Sequence, residues 1–183
     1  MSRAGLVLAA GEGRRFGGAK QLATVRGRPM LAHVVDAARE VLDPLVVVVG
    51  AHADAILAEI PGLPAVQCAD WAEGQSASLR TGVEALAGSD EVVVLVGDQP
   101  GITPEVLRAI PPLDGYDAVR ATYEGVPGHP VLLGPRVLAE VAGLRGDAGA
   151  RDLLSRFRVR TWEAGHLADP TDVDTPDQLE ALS

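Results

Sequence analysis

Short, continuous apolar runs alternate along the chain with segments whose apolar residues recur at helical spacing. Runs of this kind are typical of strands buried on both faces of a sheet. The predicted strands are residues 4–10, 45–49, 65–68, 92–96, 118–122, 131–133 and 159–162. The predicted helices are residues 29–42, 53–60, 76–86, 135–141 and 147–154, with two more that begin at Pro104 and Pro176. This alternation predicts a mostly parallel sheet flanked by helices, in which a ligand binds at the carboxyl ends of the strands.

The size and composition of the chain predict one domain that folds without cross-links. Its 183 residues suit a single domain, which we expect to span residues 1–183. Apolar residues make up 47% of the chain and aromatic residues 3%, so the core must consist of Ala, Val, Leu and Ile. Cys68 is the only cysteine, which excludes a disulfide framework and a cysteine-based zinc site.

The net charge of the chain argues against two classes of binding partner. A net charge of −9 argues against a nucleic-acid binder and against docking on anionic membranes. No stretch approaches the roughly 20 apolar residues that a membrane span needs. The first apolar run is at the lower limit for a signal peptide and is followed at once by charged residues, so it is interpreted as a buried strand. A cytoplasmic location is therefore expected.

A glycine-rich loop follows the first predicted strand, where residues 8–22 read LAAGEGRRFGGAKQL. The dinucleotide pattern GxGxxG fails because Phe16 replaces its last glycine, and the P-loop pattern fails because Ala19 stands where its lysine is required. Arg14, Arg15 and Lys20 still concentrate positive charge there, and Lys20 is the only lysine in the chain. Such a loop suits a triphosphate. A glycine-rich surface turn with solvated charges is the alternative.

Two acidic motifs predict a cation site. Asp98 ends the most apolar predicted strand, and Asp172 and Asp174 come just before the helix that Thr175 is expected to cap. Mg²⁺ in proteins is held by one or two carboxylates together with phosphate oxygens and water. Carboxylates from these two loops, meeting over a triphosphate, would form such a site. Each of the three aspartates could instead serve as a turn or capping residue.

Three further segments carry polar residues that allow either a structural or a functional interpretation. Ser76 or Ser78 could cap a helix or bind an anion at its start, close to Arg80. His129 lies between two short strands and could be structural. Asp147, in the stretch GDAGAR, could be a helix cap.

Taken together, these motifs are similar to those of a known family. LAAGEGRRFGGAKQL, GDQP, GHPV, GDAGAR and DVDTP resemble the signature of the molybdenum cofactor cytidylyltransferases (MocA-like), a branch of the MobA-like NTP transferase superfamily. The resemblance extends from residue 6 to residue 179. It implies a single three-layer α/β/α domain of the nucleotide-diphospho-sugar transferase type, with a mixed sheet that has one antiparallel strand near its end.

The resemblance also implies roles for individual residues. Arg15 and Lys20 match the catalytic basic residues, and Asp98 and Asp174 match the Mg²⁺ ligands, with Asp174 preferred over Asp172. The residues expected to bind the nucleotide are Ala9, Ala10, Gly11, Gly13, Ser78 and Arg80. Those expected to face the acceptor are His129, Asp147 and Arg151.

The activity expected from the resemblance is transfer of CMP from CTP to the phosphate of molybdenum cofactor, with release of pyrophosphate. The acceptor phosphate is ionised at neutral pH, so the reaction needs no general base. CTP and molybdenum cofactor are then the substrates, and a molybdenum hydroxylase or its maturation factor is the expected protein partner. Two alternatives stay open: a transferase with another phosphorylated acceptor such as a sugar phosphate, and a non-catalytic carrier of molybdenum cofactor for a partner hydroxylase.

Overall fold

The computed structural model describes residues 3–146 and 150–180 of the chain. The strands are β1 (Ala4–Ala9), β2 (Thr24–Val25), β3 (Arg28–Pro29), β4 (Leu45–Val49), β5 (Ala65–Gln67), β6 (Val92–Val96), β7 (Ala118–Tyr123), β8 (Val126–Leu133) and β9 (Val159–Glu163). The helices are α1 (Met30–Arg39), α2 (Ala53–Glu59), α3 (Gln75–Ala85), α4 (Pro104–Arg108), α5 (Pro135–Val141), α6 (Ala150–Leu154) and α7 (Pro176–Glu180). Short 3₁₀ helices occupy Lys20–Leu22 and Trp71–Glu73.

A seven-stranded sheet with the order β5-β4-β1-β6-β8-β7-β9 forms the centre of the molecule. β1 pairs in parallel with β4 and β6, and β4 pairs in parallel with β5. β8 is antiparallel to both of its neighbours, β6 and β7, while β9 is parallel to β7. The mostly parallel α/β sheet is thus confirmed, together with the antiparallel strand that the family resemblance implied.

Alternating side chains of β1 pack in two cores on opposite faces of the sheet. Val7 belongs to the core formed with α1, α2 and α4. Leu6 belongs to the core formed with α3, α5 and α6. Gly82 lets α3 approach β1 closely, since a Cβ atom at this position would collide with the Leu6 side chain. The result is the three-layer α/β/α arrangement that the resemblance implied.

Two local features differ from the sequence-based prediction. The β2–β3 hairpin has strands of two residues each, which are too short to give a periodic signal. β8 begins at Val126 rather than at residue 131, because Pro127 and Val126 still pair with β7 beyond an irregularity in register. Proline and glycine in this segment weaken any strand signal. The predicted start of a helix at Asp147 lies outside the described residues.

The structure contains no helix that is both long and apolar enough to cross a membrane, as far as residues 3–146 and 150–180 are concerned.

Candidate active site

A cavity of about 520 Å³ opens at the carboxyl ends of β1 and β6. Small-molecule sites usually fall in the range of about 300–1,000 Å³. The glycine-rich loop, the start of α3 and the end of β6 form its walls. The site residues predicted from the sequence that line it are Ala9, Ala10, Gly11, Gly13, Lys20, Ser78 and Asp98. The expected position of the ligand, at the carboxyl ends of the strands, therefore coincides with a cavity of the described structure.

The glycine-rich loop closes on itself around Gly13. The carbonyl oxygen of Gly13 accepts hydrogen bonds from the N–H groups of Phe16 and Gly17, at 3.0 and 2.9 Å. Gly13 has φ of +68°, and a Cβ atom there would collide with the carbonyl oxygen of Gly18. Glycine is needed at this position because an L side chain would be both strained and blocked.

Gln21 ties the segment that carries Lys20 to the end of β1. Its Nε2 donates hydrogen bonds to the carbonyl oxygens of Ala9 (3.0 Å) and Gly11 (2.9 Å), and the residue is only 2% exposed. His52 supports the same loop, since its Nε2 lies 2.8 Å from the Glu12 carbonyl oxygen. Gln21 is not among the site residues predicted from the sequence. Its place directly after Lys20 was the only available signal.

The predicted catalytic and metal-binding residues meet in one cluster of charges. Lys20 Nζ donates to Asp98 Oδ2 at 2.5 Å and to Asp174 Oδ1 at 2.8 Å. Arg15 Nη2 lies 2.8 Å from the other oxygen of Asp174. The Lys20 side chain is 15% exposed, so the ammonium is largely withdrawn from water. The glycine-rich loop, the end of β6 and the segment before α7 are joined at this point.

The contacts within this cluster stabilise the charged forms of Lys20 and Asp174. Burial of Lys20 by itself would favour the neutral amine, but Asp98 and Asp174 outweigh it, and the pKa of Lys20 is raised. The hydrogen bond from Lys20, supported by the charge of Arg15, lowers the pKa of Asp174. Lys20 and Asp174 are therefore both charged at neutral pH.

Asp172 faces a different partner from Asp174. Its Oδ1 accepts a hydrogen bond of 2.7 Å from Gln99 Nε2, which also donates to the Pro170 carbonyl oxygen at 3.1 Å. Burial, and the negative charge of Asp98, raise the pKa of Asp172. Asp174 contacts Lys20 and Arg15, whereas Asp172 contacts Gln99. This arrangement favours Asp174 as the partner of Asp98 in holding a cation.

The two carboxylates suit a hard divalent cation that brings other ligands with it. Asp98 and Asp174 each place an oxygen within 2.8 Å of the same nitrogen, so both can reach one cation at that point. Asp98 Oδ1 is buried and has no hydrogen-bond partner among the described residues. Within that part of the chain, no group of three His, Cys, Asp or Glu side chains could hold a metal ion. Phosphate oxygens or water would have to complete the coordination.

His129 lies within electrostatic reach of the charged cluster. Burial and the positive charge of Arg120 lower the pKa of its imidazole to about 4, while Asp98 acts in the opposite direction. The carbonyl oxygen of His129 accepts a hydrogen bond of 2.6 Å from the Tyr123 hydroxyl. Burial and the charge of Glu163 raise the pKa of Tyr123 to about 12. His129 is therefore neutral at physiological pH, near Asp98.

The structure places Arg80 in a contact that the sequence did not indicate. Its guanidinium donates to the Leu144 carbonyl oxygen at 2.6 Å and to Ser76 Oγ at 3.2 Å, and pairs with Glu73 at 3.0 Å. It joins α3 to the segment that precedes the GDAGAR stretch, whereas Ser78 lines the cavity. Neither Ser76 nor Ser78 caps the helix, because α3 begins at Gln75 with Gly74 as its N-cap. Nucleotide binding by Arg80 stays a prediction.

The structure does not describe the side chains of Asp147 and Arg151, which are also expected to face the acceptor. Asp147 lies outside the described residues. Arg151 belongs to α6, but its side chain is also outside what the structure describes. The roles of Asp147, Arg151 and His129 toward an acceptor therefore stay predictions.

Comparison with known proteins shows the family to which the chain belongs. The profile of the MobA-like NTP transferase domain matches residues 5–162, which is most of the chain. The chain belongs to this family. Among characterised relatives, nicotine blue oxidoreductase of Paenarthrobacter nicotinovorans is 31% identical over 201 residues, which cover 97% of this chain and 95% of that protein. Family membership thus makes the protein a nucleotidyltransferase of the MobA-like type, although one similar protein is named for a redox reaction.

Solved structures share the whole fold. Rv0371c from Mycobacterium tuberculosis H37Rv superimposes with a TM-score of 0.85 at 31% identity, and the match covers 100% of this chain and 98% of the other. A second structure of Rv0371c, in complex with manganese, gives a TM-score of 0.82 at 30% identity, with the same coverage. The fold is that of the nucleotide-diphospho-sugar transferases.

Proposed function

We propose that this protein is a Mg²⁺-dependent cytidylyltransferase that transfers CMP from CTP to the terminal phosphate of molybdenum cofactor and releases pyrophosphate. The observation that carries the proposal is the convergence of Lys20, Asp98 and Asp174 beside the cavity. Two acidic groups and a lysine at the mouth of a glycine-rich pocket suit a triphosphate with its metal. A protein that only carries the cofactor needs no such arrangement.

The chemistry requires positioning and charge neutralisation. An oxygen of the acceptor phosphate attacks the α-phosphorus of CTP, and the bond from that phosphorus to the oxygen bridging to the β-phosphate breaks. The acceptor is already ionised, so no proton has to be removed. Lys20 and Arg15 offset negative charge on the phosphates as it develops, and the glycine-rich loop forms one wall of the cavity that would hold them. His129, being neutral, adds no charge that would repel Lys20.

The metal would be held by Asp98 and Asp174. When bound, a divalent ion offsets the charge that accumulates on the leaving pyrophosphate. The manganese complex of the similar mycobacterial protein supports the use of a divalent cation. The unpartnered, buried Asp98 Oδ1 supports Asp98 as one of the ligands.

Ala10 is the residue expected to select the base. It is 5% exposed and lines the cavity, and a Cβ atom at Gly50 would collide with it, which shows how tightly this corner is packed. A methyl group here narrows the slot and should disfavour a purine. Differences of one methyl-sized group are worth about 10–200-fold in selectivity. We expect kcat/KM to be higher for CTP than for GTP, and Ala10→Gly to reduce the difference.

The deciding experiment measures pyrophosphate release with each nucleoside triphosphate, Mg²⁺ and molybdenum cofactor. CTP together with molybdenum cofactor should give the fastest release, and Lys20→Ala should lower it by about 10²–10³-fold. Release with sugar phosphates alone would assign another acceptor. Binding of molybdenum cofactor without pyrophosphate would indicate a carrier. A redox reaction of the kind named for the Paenarthrobacter protein would release no pyrophosphate.

A further inference from the structure

Both aspartates expected to hold the metal are already neutralised by the protein itself. Lys20 Nζ contacts one oxygen of Asp98 and one of Asp174, and it lies where a cation shared by the two carboxylates would lie. We infer that Lys20 excludes free divalent cations from this site, so that the protein takes the metal only together with its nucleotide. The inference rests on the proposed function in so far as that nucleotide is CTP.

The number of ligands supports this exclusion. Among the side chains that the structure describes, Asp98 and Asp174 are the two carboxylates that contact Lys20, and no group of three His, Cys, Asp or Glu side chains could hold a metal ion. A divalent ion alone would have to displace the ammonium from both carboxylates while gaining only two protein ligands. Mg²⁺ and Mn²⁺ prefer six ligands, and phosphates commonly supply several of them.

The charges of the side chains in this cluster also disfavour the binding of a free divalent ion. Lys20 and Arg15 balance Asp98 and Asp174, so the four groups together carry no net charge. A divalent ion placed beside the partly buried ammonium would meet a like charge at short range, where water screens poorly. A triphosphate changes this balance, because its negative charge offers Lys20 a new partner.

The geometry allows Lys20 to change partners. Lys20 also lines the cavity, and its flexible four-carbon stem carries a compact charge that can turn from the carboxylates to a phosphate. The nucleotide then frees the two carboxylates for the metal that arrives with it. The two binding events must strengthen each other, and by thermodynamic linkage the effect is reciprocal.

The test measures Mn²⁺ affinity by electron paramagnetic resonance, first without nucleotide. Lys20→Met removes the charge and should tighten Mn²⁺ binding at least tenfold relative to the natural protein, although it abolishes transfer. Lys20→Arg retains a cation and should bind Mn²⁺ as weakly as the natural protein. Arg14→Met is the matched control: it removes a positive charge from the same loop, but Arg14 pairs with Glu12 rather than with either aspartate. It should leave the affinity unchanged.

The second part of the test adds a non-hydrolysable CTP analogue. In the natural protein the analogue should tighten Mn²⁺ binding strongly, and in Lys20→Met the additional gain should be much smaller. Asp98→Asn, placed in the Lys20→Met background, should remove the increase in Mn²⁺ affinity that Lys20→Met causes. This result would show that the tighter Mn²⁺ binding occurs at this site. Lys20→Gln serves in place of Lys20→Met if thermal unfolding shows that the methionine variant does not fold.

Equal or weaker Mn²⁺ binding by Lys20→Met without nucleotide would overturn the inference. So would tight binding of Mn²⁺ by the natural protein in the absence of nucleotide. The Mn²⁺-binding test and the test of the proposed function can fail independently. If no acceptor leads to pyrophosphate release, the transferase proposal is refuted, but the comparison of Mn²⁺ affinities still tests the role of Lys20.

Discussion

Three aspartates near the end of β6 differ in what their carboxylates contact. Asp98 and Asp174 contact Lys20, while Asp172 accepts a hydrogen bond from Gln99. We predict that Asp98→Ala and Asp174→Ala each abolish metal-dependent turnover and that Asp172→Ala retains most of it. Steady-state rates at several Mg²⁺ concentrations provide the measurement.

The control for these variants is their thermal stability. All three should unfold within a few degrees of the natural protein, since none of the three side chains lies in an apolar core. If Asp172→Ala is inactive and Asp174→Ala is active, the roles of the two residues are exchanged.

His129 should make the stability of the protein depend on pH. Its pKa is about 4 in the folded state and near 6.5 when unfolded, so the unfolded chain binds more protons between these values. The free energy of unfolding contributed by this residue should therefore fall as the pH is lowered from 7 to 4. At pH 5 the loss should be about 1–2 kcal/mol.

Urea denaturation at pH 7 and pH 5 would measure this loss. His129→Gln cannot take up the proton, so its decrease in unfolding free energy between the two pH values should be smaller by that amount. The same decrease in both proteins would show that His129 does not carry the effect, and that carboxylates account for it.

The sequence identified the charged residues of the site more readily than the residues that hold them. Lys20 stood out as the only lysine, inside a recognisable loop, and Asp98 stood at the end of an apolar strand. Gln21 and Gln99 have no comparable signal. Their roles depend on hydrogen bonds from buried amides to backbone and side-chain groups that the chain brings close only when folded.

At the scale of elements, the segment before α7 docks on the end of β6 through a few hydrogen bonds. Gln99 Nε2 donates to the Pro170 carbonyl oxygen and to Asp172, and the Val173 N–H donates to the Asp98 carbonyl oxygen at 3.0 Å. Gln99 is 3% exposed. It therefore holds the segment that carries Asp174 against the segment that carries Asp98.

Gln99→Met should loosen this docking and weaken the binding of metal with nucleotide. Two hydrogen bonds are lost, each worth about 0.5–1.5 kcal/mol, so the Mg²⁺ concentration for half-maximal activity should rise roughly 5- to 150-fold. Excess Mg²⁺ should restore much of the rate, which it would not do for a misfolded protein. Gln67→Met, on an exposed residue at the end of β5, is the matched control and should behave like the natural protein. If Gln99→Met is as active as the natural protein at low Mg²⁺, Gln99 does not position the metal site.

The strength of the local pattern decided which elements could be predicted. β4 and β6 are continuous apolar runs, and their bounds were predicted without error. The β2–β3 hairpin and the first part of β8 were missed, because their residues form strands through pairing with neighbours rather than through their own pattern.

At the scale of the whole molecule, the cavity is built from three separate parts of the chain. Its lining consists of residues 8–14, 20–21, 71–72, 74–75, 78 and 96–98. A ligand that bridges them should stabilise the folded state as a whole. At 100 times its Kd a ligand adds about 2.7 kcal/mol, which corresponds to a rise in Tm of roughly 5–10 °C for a protein of this size.

We predict that CTP and Mg²⁺ together raise Tm by about this amount, and that Mg²⁺ alone raises it hardly at all. Scanning fluorimetry with CTP, Mg²⁺, both and neither would measure it, with GTP and Mg²⁺ for comparison. A rise with Mg²⁺ alone as large as that with the pair would argue against a site built for the complex. No rise with any nucleotide would argue against the cavity as the nucleotide site.

The sequence by itself determined the alternation of strands and helices, the apolar cores and the glycine-rich loop. These depend on periodicity and on backbone conformation, which are properties of residues adjacent along the chain. Only the tertiary structure decided that Lys20 meets Asp98 and Asp174, which lie 78 and 154 positions away. It also decided that Asp174 rather than Asp172 faces the lysine, because the docking of that segment by Gln99 determines which way each carboxylate points. Such contacts depend on strand order and on how distant segments pack, and no local pattern encodes either.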